Sequence, residues 1–334
     1  MKDESQAMSN TILTETGTNE VEFVEFILCG QSFGVNVAKV REIISYNPDN
    51  ITSVPETYHS VMGMFILRDS TLPLIDLKAH LELDDSKEAG EGDSSYKQKV
   101  VLVCEFNGMV NGFLVDGVNQ IRRCSWGDFA PLSPFISQYR PSITSSVTID
   151  GNNILLVDLE HILTDIYPAT RLVYLEEDDP KQTGDIEQRR QEREKIHVIL
   201  ADDSSIVRAS VKKITDEVGY TNISMHDNGL GAYNQVQELA EKAASEERDI
   251  LDYVNIVVSD IEMPQMDGLT VTKKIKEELG LKNLPVIIFS SLINEQMVEK
   301  CKGVGADGWV NKLEVADLVR ILDEYCLGRN QPDT

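Results

Sequence analysis

A set of acids, hydroxyls and one amine in the carboxyl-terminal half has the types and spacing needed for chemistry on phosphate. The near-continuous apolar run IHVILADD (196–203) ends in Asp202 and Asp203, and NIVVSD (255–260) ends in Asp260. Two further runs, PVIIFSS (285–291) and GWVNK (308–312), lead into Ser290 with Ser291 and into Lys312. Strands buried on both faces are apolar throughout, so polar residues at their carboxyl ends call for a reason. Ligands of open α/β sheets sit outside those ends, where strand order reverses, and three carboxylates meeting there repel one another. A hard divalent cation relieves that repulsion, and Mg²⁺ held by one or two acids and completed by phosphate oxygens fits the oxygen-only donors. With the Ser290 hydroxyl and Lys312 ammonium to hold phosphoryl oxygens, the set reads as a phosphoryl-transfer site whose acceptor is a carboxylate. Taken singly, each residue has an ordinary alternative: an Asp pair that caps a helix, a Lys that is a solvated surface charge. The stretch DIEMPQMDG (260–268) is more specific, because Pro264 and Gly268 shape a tight loop as Asp260 leaves its strand.

The elements that must position this set are readable from periodicity. Val207, Val211, Ile214 and Val218 recur along one helical face. ISMHD follows as a short strand, then a long polar helix from about Gly229, with further helices from about Leu269, Asn294 and Glu314. Five strands alternating with five helices predict an α/β, doubly wound, five-stranded parallel sheet over 196–328, of flavodoxin-like order 2-1-3-4-5. Upstream, EEDDPKQTGDIEQRRQEREK (176–195) is nearly all polar or charged and cannot bury enough apolar surface to offset its ordering entropy. It marks an acidic, charged linker over 168–195, in which QRRQEREK suits an exposed helix.

The amino-terminal half is different. Residues 1–20 are polar and read as a flexible tail. From there to residue 167, short β-branched runs such as VEFVEFILCG, SFGVNVAKV, TLPLIDL, KVVLVCEF, SSVTIDG and NILLVDL alternate with turn residues and predict a mainly-β domain. The segment 84–95 lacks periodicity and reads as a solvated loop. An internal duplication is visible: aligning Gly30 with Gly108 also matches Gly34 with Gly112, Val37 with Val115, Val40 with Val118 and Ile43 with Ile121. LPLIDLKAHL (72–81) likewise resembles ILLVDLEHIL (154–163). Two small related β-barrels, each followed by a short helix after its Asp-Leu, account for both matches.

Composition narrows the partners. At a prior of roughly 150 residues per domain, 334 residues suggest two domains. Apolar residues make up 41% and charged residues 26%, which excludes wholesale disorder and fibrous classes. The 31 basic and 56 acidic residues leave a formal net charge of −25, a field that repels nucleic acid and anionic lipid. No apolar run approaches bilayer length and MKDESQAMSN lacks the regions of a signal peptide, so a cytoplasmic protein without membrane insertion is expected. The five scattered cysteines lack C-x-x-C spacing and read as small buried apolar side chains.

From Ile196 to Leu327 the chain resembles a response-regulator receiver domain, on ILADDS, DIEMPQMDG, IIFSS and GWVNK. The resemblance implies that Asp260 is phosphorylated and that Asp202 and Asp203 organise Mg²⁺. Asp203 and Asp260 would be direct ligands together with the backbone carbonyl of Glu262. It further implies that Ser290 contacts the phosphoryl group and Lys312 pairs with it. Trp309 falls where such domains often carry a switching aromatic, and a packed core indole is the equal alternative. Leu313 stands where that family usually has proline. Residues 21–167 resemble a CheW-type coupling domain of bacterial chemotaxis, on GQSFGVNVAKVREI, ITSVP and VMGMFILRDSTLPLIDL, with Asp69 where that family usually has glycine. By this resemblance Val40, Glu42 and Arg68 lie near surfaces for receptor or kinase contact, while Glu42 and Arg68 also suit an ordinary ion pair.

The order of the two domains resembles the CheV family. It implies a non-enzymatic adaptor between chemoreceptors, the methyl-accepting proteins, and a histidine kinase, located at membrane-associated receptor arrays and regulated through Asp260. Two alternatives stay open: a receiver that serves mainly as a phosphate sink, and an aspartate-nucleophile phosphatase. The phosphatase lacks the usual second Asp, having Glu262 in that position.

Overall fold

The computed structural model describes residues 17–55, 57–68, 70–83, 98–106, 108–132, 140, 142–167, 186–312 and 315–328. Asp69, Leu313 and the predicted loop 84–95 lie outside them. The chain divides into two compact units, one over Val21–Arg171 and the other over Leu172–Thr334 together with the residues up to Glu20.

The first unit contains β1 (Glu20–Leu28), β2 (Gln31–Asn36), β3 (Val40–Ser45), β4 (Ile51–Thr52), β5 (Val61–Leu67), β6 (Ser70–Asp76), β7 (Val100–Phe106), β8 (Met109–Val115), β9 (Gly117–Ser125), β10 (Ala130–Pro131), β11 (Ile143–Ile149) and β12 (Asn152–Val157). They form two six-stranded sheets, β10-β11-β12-β2-β1-β9 and β4-β5-β6-β8-β7-β3. Written in that direction the sheets correspond strand for strand. Each takes one hairpin from the other copy of the duplication: β1–β2 joins the second copy, and β7–β8 joins the first. The parallel contacts holding the exchanged hairpins share one register, with Leu74 facing Gly112 and Leu156 facing Gly34.

The repeated glycines follow from that register. A Cβ on Gly34 would fall 2.8 Å from side-chain carbons of Leu156 and Phe23, and one on Gly112 would fall 2.6 Å from Phe65 and 2.9 Å from Val101. Asp76 and Asp158, the last polar residues of the repeated Ile-Asp-Leu and Val-Asp-Leu, cap α1 (Leu77–His80) and α2 (Leu159–Ile166) by accepting backbone N–H bonds. Phe26, Phe33, Leu77, Leu102, Phe113 and Leu159 fill a core that draws on both sheets and both helices. Each such side chain contributes about 1.5–3 kcal/mol on burial.

The second unit begins with α3 (Ile186–Arg193), inside the stretch read as a charged linker. Its end is anchored: Arg193 donates to both carboxylate oxygens of Asp323 at 2.9 and 2.6 Å and to the Val218 carbonyl at 2.9 Å. Residues 168–185 of that stretch lie outside the described residues. Five strands, β13 (Val198–Ala201), β14 (Ile223–His226), β15 (Ile256–Ser259), β16 (Val286–Ser290) and β17 (Gly308–Asn311), pair in parallel in the order β14-β13-β15-β16-β17. This is the predicted 2-1-3-4-5.

Helices α4 (Ser205–Val218), α5 (Gly229–Ser245), α6 (Gly268–Lys273, continued by a π turn over Lys274–Glu278), α7 (Glu295–Gly303) and α8 (Val315–Cys326) cover the sheet. Alternate strand residues go to opposite faces. Val198, Leu200, Ile256, Val258, Ile287 and Phe289 pack with α4 and α8, whereas Ile199, Ala201, Val257 and Val286 pack with α5 and α6. Double-sided burial is the reason these runs are apolar without alternation.

Candidate functional site

Strand β13 delivers Asp202 and Asp203, β15 delivers Asp260 and β17 delivers Lys312, all at the carboxyl edge of the sheet. The site forms because strand order reverses between the first and third strands, so the loops after β13 and β15 leave toward opposite faces and open a crevice. Carboxylate oxygens of Asp202, Asp203 and Asp260 all lie within 4.8 Å of one another. Lys312 Nζ reaches between them, 2.8 Å from Asp260 Oδ2 and 2.9 Å from Asp202 Oδ2. Asp202, Asp260 and Lys312 are 1%, 3% and 5% exposed, so their charges interact in a largely water-excluded space.

Local bonds hold each acid in place. Asp202 Oδ1 accepts the Ser204 N–H at 2.9 Å, and Ser204 in turn caps α4. Asp260 Oδ1 accepts the Ile261 N–H at 2.6 Å, and the Asp260 N–H donates to the Ala201 carbonyl at 2.9 Å. The start of α6 lies directly on Asp260: a Cβ on Gly268 would fall 1.9 Å from the Asp260 carbonyl oxygen. Only glycine fits there, which is the function of the Gly268 noted in DIEMPQMDG.

Burial raises the Asp202 carboxyl to about 7, Lys312 opposing the rise and the Asp260 charge adding to it. Asp202 Oδ2 is buried and receives no aligned hydrogen bond, although Lys312 lies beside it as an ion pair. One ammonium among three carboxylates leaves a deficit of positive charge. A buried oxygen with only a shared ammonium beside it, within a set of hard oxygen donors, fits a hard divalent cation, with Asp202, Asp203 and Asp260 as the residues able to hold it.

Ser290 ends β16 fully buried, opposite Asn311 and thus one residue from the position opposite Lys312; its hydroxyl accepts the Leu292 N–H at 3.4 Å. Ser291 is buried next to it. Trp309 is half-buried in β17 and packs with Leu292, Met297 and Cys301, its ring 5.7 Å from Lys302 Nζ. Glu262 is half-buried in the loop that follows Asp260.

Residues 22–167 match the CheW-like domain family and residues 198–323 match the response regulator receiver domain family. Chemotaxis protein CheV3 of Helicobacter pylori is 30% identical over 334 residues, covering 95% of this chain and 99% of that relative. The chain belongs to the CheV family. Another member, CheV1 of Helicobacter pylori, is 25% identical over 308 residues and 88% of each chain. Among solved structures, the scaffolding protein TtCheW from Thermoanaerobacter tengcongensis has a TM-score of 0.36 at 22% identity, covering 42% of this chain and 84% of that one. As a CheV-family member the protein is a chemotaxis coupling protein that carries a receiver domain.

In the CheW-like unit of this CheV-family chain, Val40 and Glu42 lie on β3, a sheet-edge strand, and Arg68 follows β5 with a positive φ of 55°. Arg68 Nη2 donates to Glu42 Oε2 at 3.1 Å, and the Arg68 side chain is 72% exposed, so the ordinary ion pair exists. Two supporting residues escaped the sequence reading. Asp267 caps α6 by accepting from the Thr270 N–H and hydroxyl, a role that the spacing of DGLT signals. Asn19 bonds the loop between Asp260 and α6, and a separation of 246 residues offers no sequence signal. Among the described residues no helix is long and apolar enough to cross a membrane.

Proposed function

We propose that this CheV-family protein is an adaptor between chemoreceptors and a histidine kinase, and that phosphorylation of Asp260 tunes its coupling. The observation that carries the reading is the Asp260 carboxylate, buried against Asp202 and Asp203 and paired to Lys312 at 2.8 Å. In the transfer, an Asp260 oxygen bonds to phosphorus as the phosphorus–nitrogen bond of a kinase phosphohistidine breaks; the products are an acyl phosphate and a histidine that takes up a proton. Lys312 exchanges its carboxylate partners for phosphoryl oxygens, and Ser290 offers its hydroxyl to the same group.

Mg²⁺ would be held by Asp203 and Asp260 with the Glu262 carbonyl, Asp202 organising it, and it supplies positive charge against the phosphoryl oxygens. Trp309, packed on α7, is suited to report the change in the surface formed by α7 and β17. Val40, Glu42 and Arg68 would mark where the CheW-like unit meets receptor or kinase, with the protein at receptor arrays on the cytoplasmic side.

Kinase activity in reconstituted receptor complexes tests the reading, comparing the unaltered protein with Asp260→Asn under a small phosphodonor. The donor is expected to change kinase output only with the unaltered protein. Equal output from both, with phosphoryl loss from the kinase accelerated by the unaltered protein alone, would assign the receiver to a phosphate sink. Turnover of a small phosphate ester would assign it to a phosphatase.

A further inference from the structure

Residues 17–20 precede the CheW-like domain in sequence yet belong to the compact unit that contains the receiver. They lie on the loop that carries the acceptor. Asn19 Nδ2 donates to the Gln265 carbonyl at 2.9 Å, and Asn19 Oδ1 accepts the Asp267 N–H at 3.0 Å. One side-chain amide thus reads a carbonyl and an N–H two residues apart, a match specific to a carboxamide. A Cβ on Gly17 would fall 2.8 Å from Lys273 Cδ and 3.5 Å from Val304 Cγ1, so the segment also rests against α6 and the end of α7.

The loop it holds is a strained one. Gln265 has a φ of 69°, a left-handed conformation that a non-glycine residue adopts at a cost. The bonds run without a gap from acceptor to clasp. Asp260 Oδ1 accepts from the Ile261 N–H at 2.6 Å, the Ile261 carbonyl accepts from the Gly268 N–H at 3.1 Å, and neighbouring Asp267 donates to Asn19. Asn19 is itself followed directly by β1, which starts at Glu20.

We propose that residues 17–20 are an intramolecular ligand of the acceptor loop, clasping it through Asn19 with a strength that depends on the state of Asp260. The inference rests on Asp260 being the phospho-acceptor. Its sign follows from bonding. The Asp260 carboxylate gives Ile261 a charge-assisted hydrogen bond, and phosphorylation turns the oxygen facing Ile261 into a weaker, neutral carbonyl acceptor. The loop then loosens at Ile261, Gly268 and Asp267 shift together, and the clasp opens. By linkage, the clasp disfavours the phosphorylated form by the same factor by which phosphorylation weakens the clasp.

The test uses the full-length protein, its Asn19→Gly variant, which tolerates the positive φ of 60° at this position, and Asn19→Asp, which keeps the acceptor but loses the donor. Beryllofluoride with Mg²⁺ serves as an equilibrium mimic of the acyl phosphate, and acetyl phosphate as the covalent donor. Each hydrogen bond accounts for about a fivefold effect, so Asn19→Gly is expected to bind beryllofluoride about five to twenty-five times more tightly and Asn19→Asp about fivefold. In the unaltered protein, amide exchange in residues 17–20 is expected to accelerate by at least about threefold once mass spectrometry shows a phosphoryl group on Asp260. Equal beryllofluoride affinities with unchanged exchange, on a chain that does carry the phosphoryl group, would overturn the clasp alone. A chain that neither takes the group nor binds beryllofluoride would overturn the acceptor reading on which the clasp depends.

Discussion

Glu25 in the CheW-like unit and Asp202 in the receiver are both buried carboxylates, each 1% exposed, and their surroundings push them in opposite directions. Burial raises the Glu25 carboxyl, but bonds from Arg122, Ser32 and Asn119 outweigh it and leave the group below its usual value. Arg122 Nε donates to Glu25 at 2.9 Å while its Nη1 donates to Asp150 at 2.9 Å. Asp202 shares a single lysine with a second acid, keeps one oxygen without an aligned donor, and rises to about 7. A scaffold carboxylate is saturated with donors and stays charged. The carboxylate of the candidate site is left short of them, and the deficit is what a cation can use.

The contrast is sharpest in the cost of removing each group. Glu25→Ala leaves the mostly buried Arg122 with the exposed Asp150 as its remaining carboxylate partner and is expected to destabilise the CheW-like unit by about 3 kcal/mol, read from urea unfolding through Trp126 fluorescence in a Trp309→Phe background. A cost below ~1 kcal/mol would put Glu25 in the same class as Asp202. Gly268→Ala drives a methyl into the Asp260 carbonyl and is expected to cost the receiver about 2 kcal/mol and to block labelling of Asp260. Full labelling of that variant would mean the loop is not built around Asp260.

Asp202 itself adds a pH signature. Its folded carboxyl takes a proton near 7 and its unfolded one near 4, so between these values the folded chain binds more protons and loses stability as pH rises. Asp202→Asn removes this slope: without divalent cations the variant should gain on the unaltered protein by on the order of 4 kcal/mol from pH 4 to 8, followed through Trp309. Mg²⁺ should close the gap by stabilising only the unaltered protein. A gap that stays flat across that range would return Asp202 to the saturated class. At the small end, Arg68→Ala with Glu42→Ala in a double-mutant cycle should give a stability coupling of about 0–1 kcal/mol, because Arg68 is mostly solvated.

How much of this was legible depended on sequence distance. The receiver strands announced themselves as apolar runs because both faces are covered, and their terminal acids stood out against those runs. The duplication was equally plain in Gly34 and Gly112, yet the reason for those glycines was not. It lies in the approach of Leu156 to one and of Phe65 to the other, contacts between strands far apart in the chain. The anchoring of α3 through Arg193 and Asp323 was hidden for the same cause, since a charged stretch reads as solvated until its partner 130 residues away is known.

By itself the sequence determined the elements and the two domain classes, and it singled out the residues of the candidate site. Those properties follow from local periodicity and from which side chains carry charge. Only the tertiary structure decided that hairpins are exchanged between the repeated β units, that Lys312 bridges Asp202 and Asp260, and that Asn19 bonds the loop between Asp260 and α6. Each of these joins groups that chain distance keeps apart, and the geometry joining them comes from packing the whole fold.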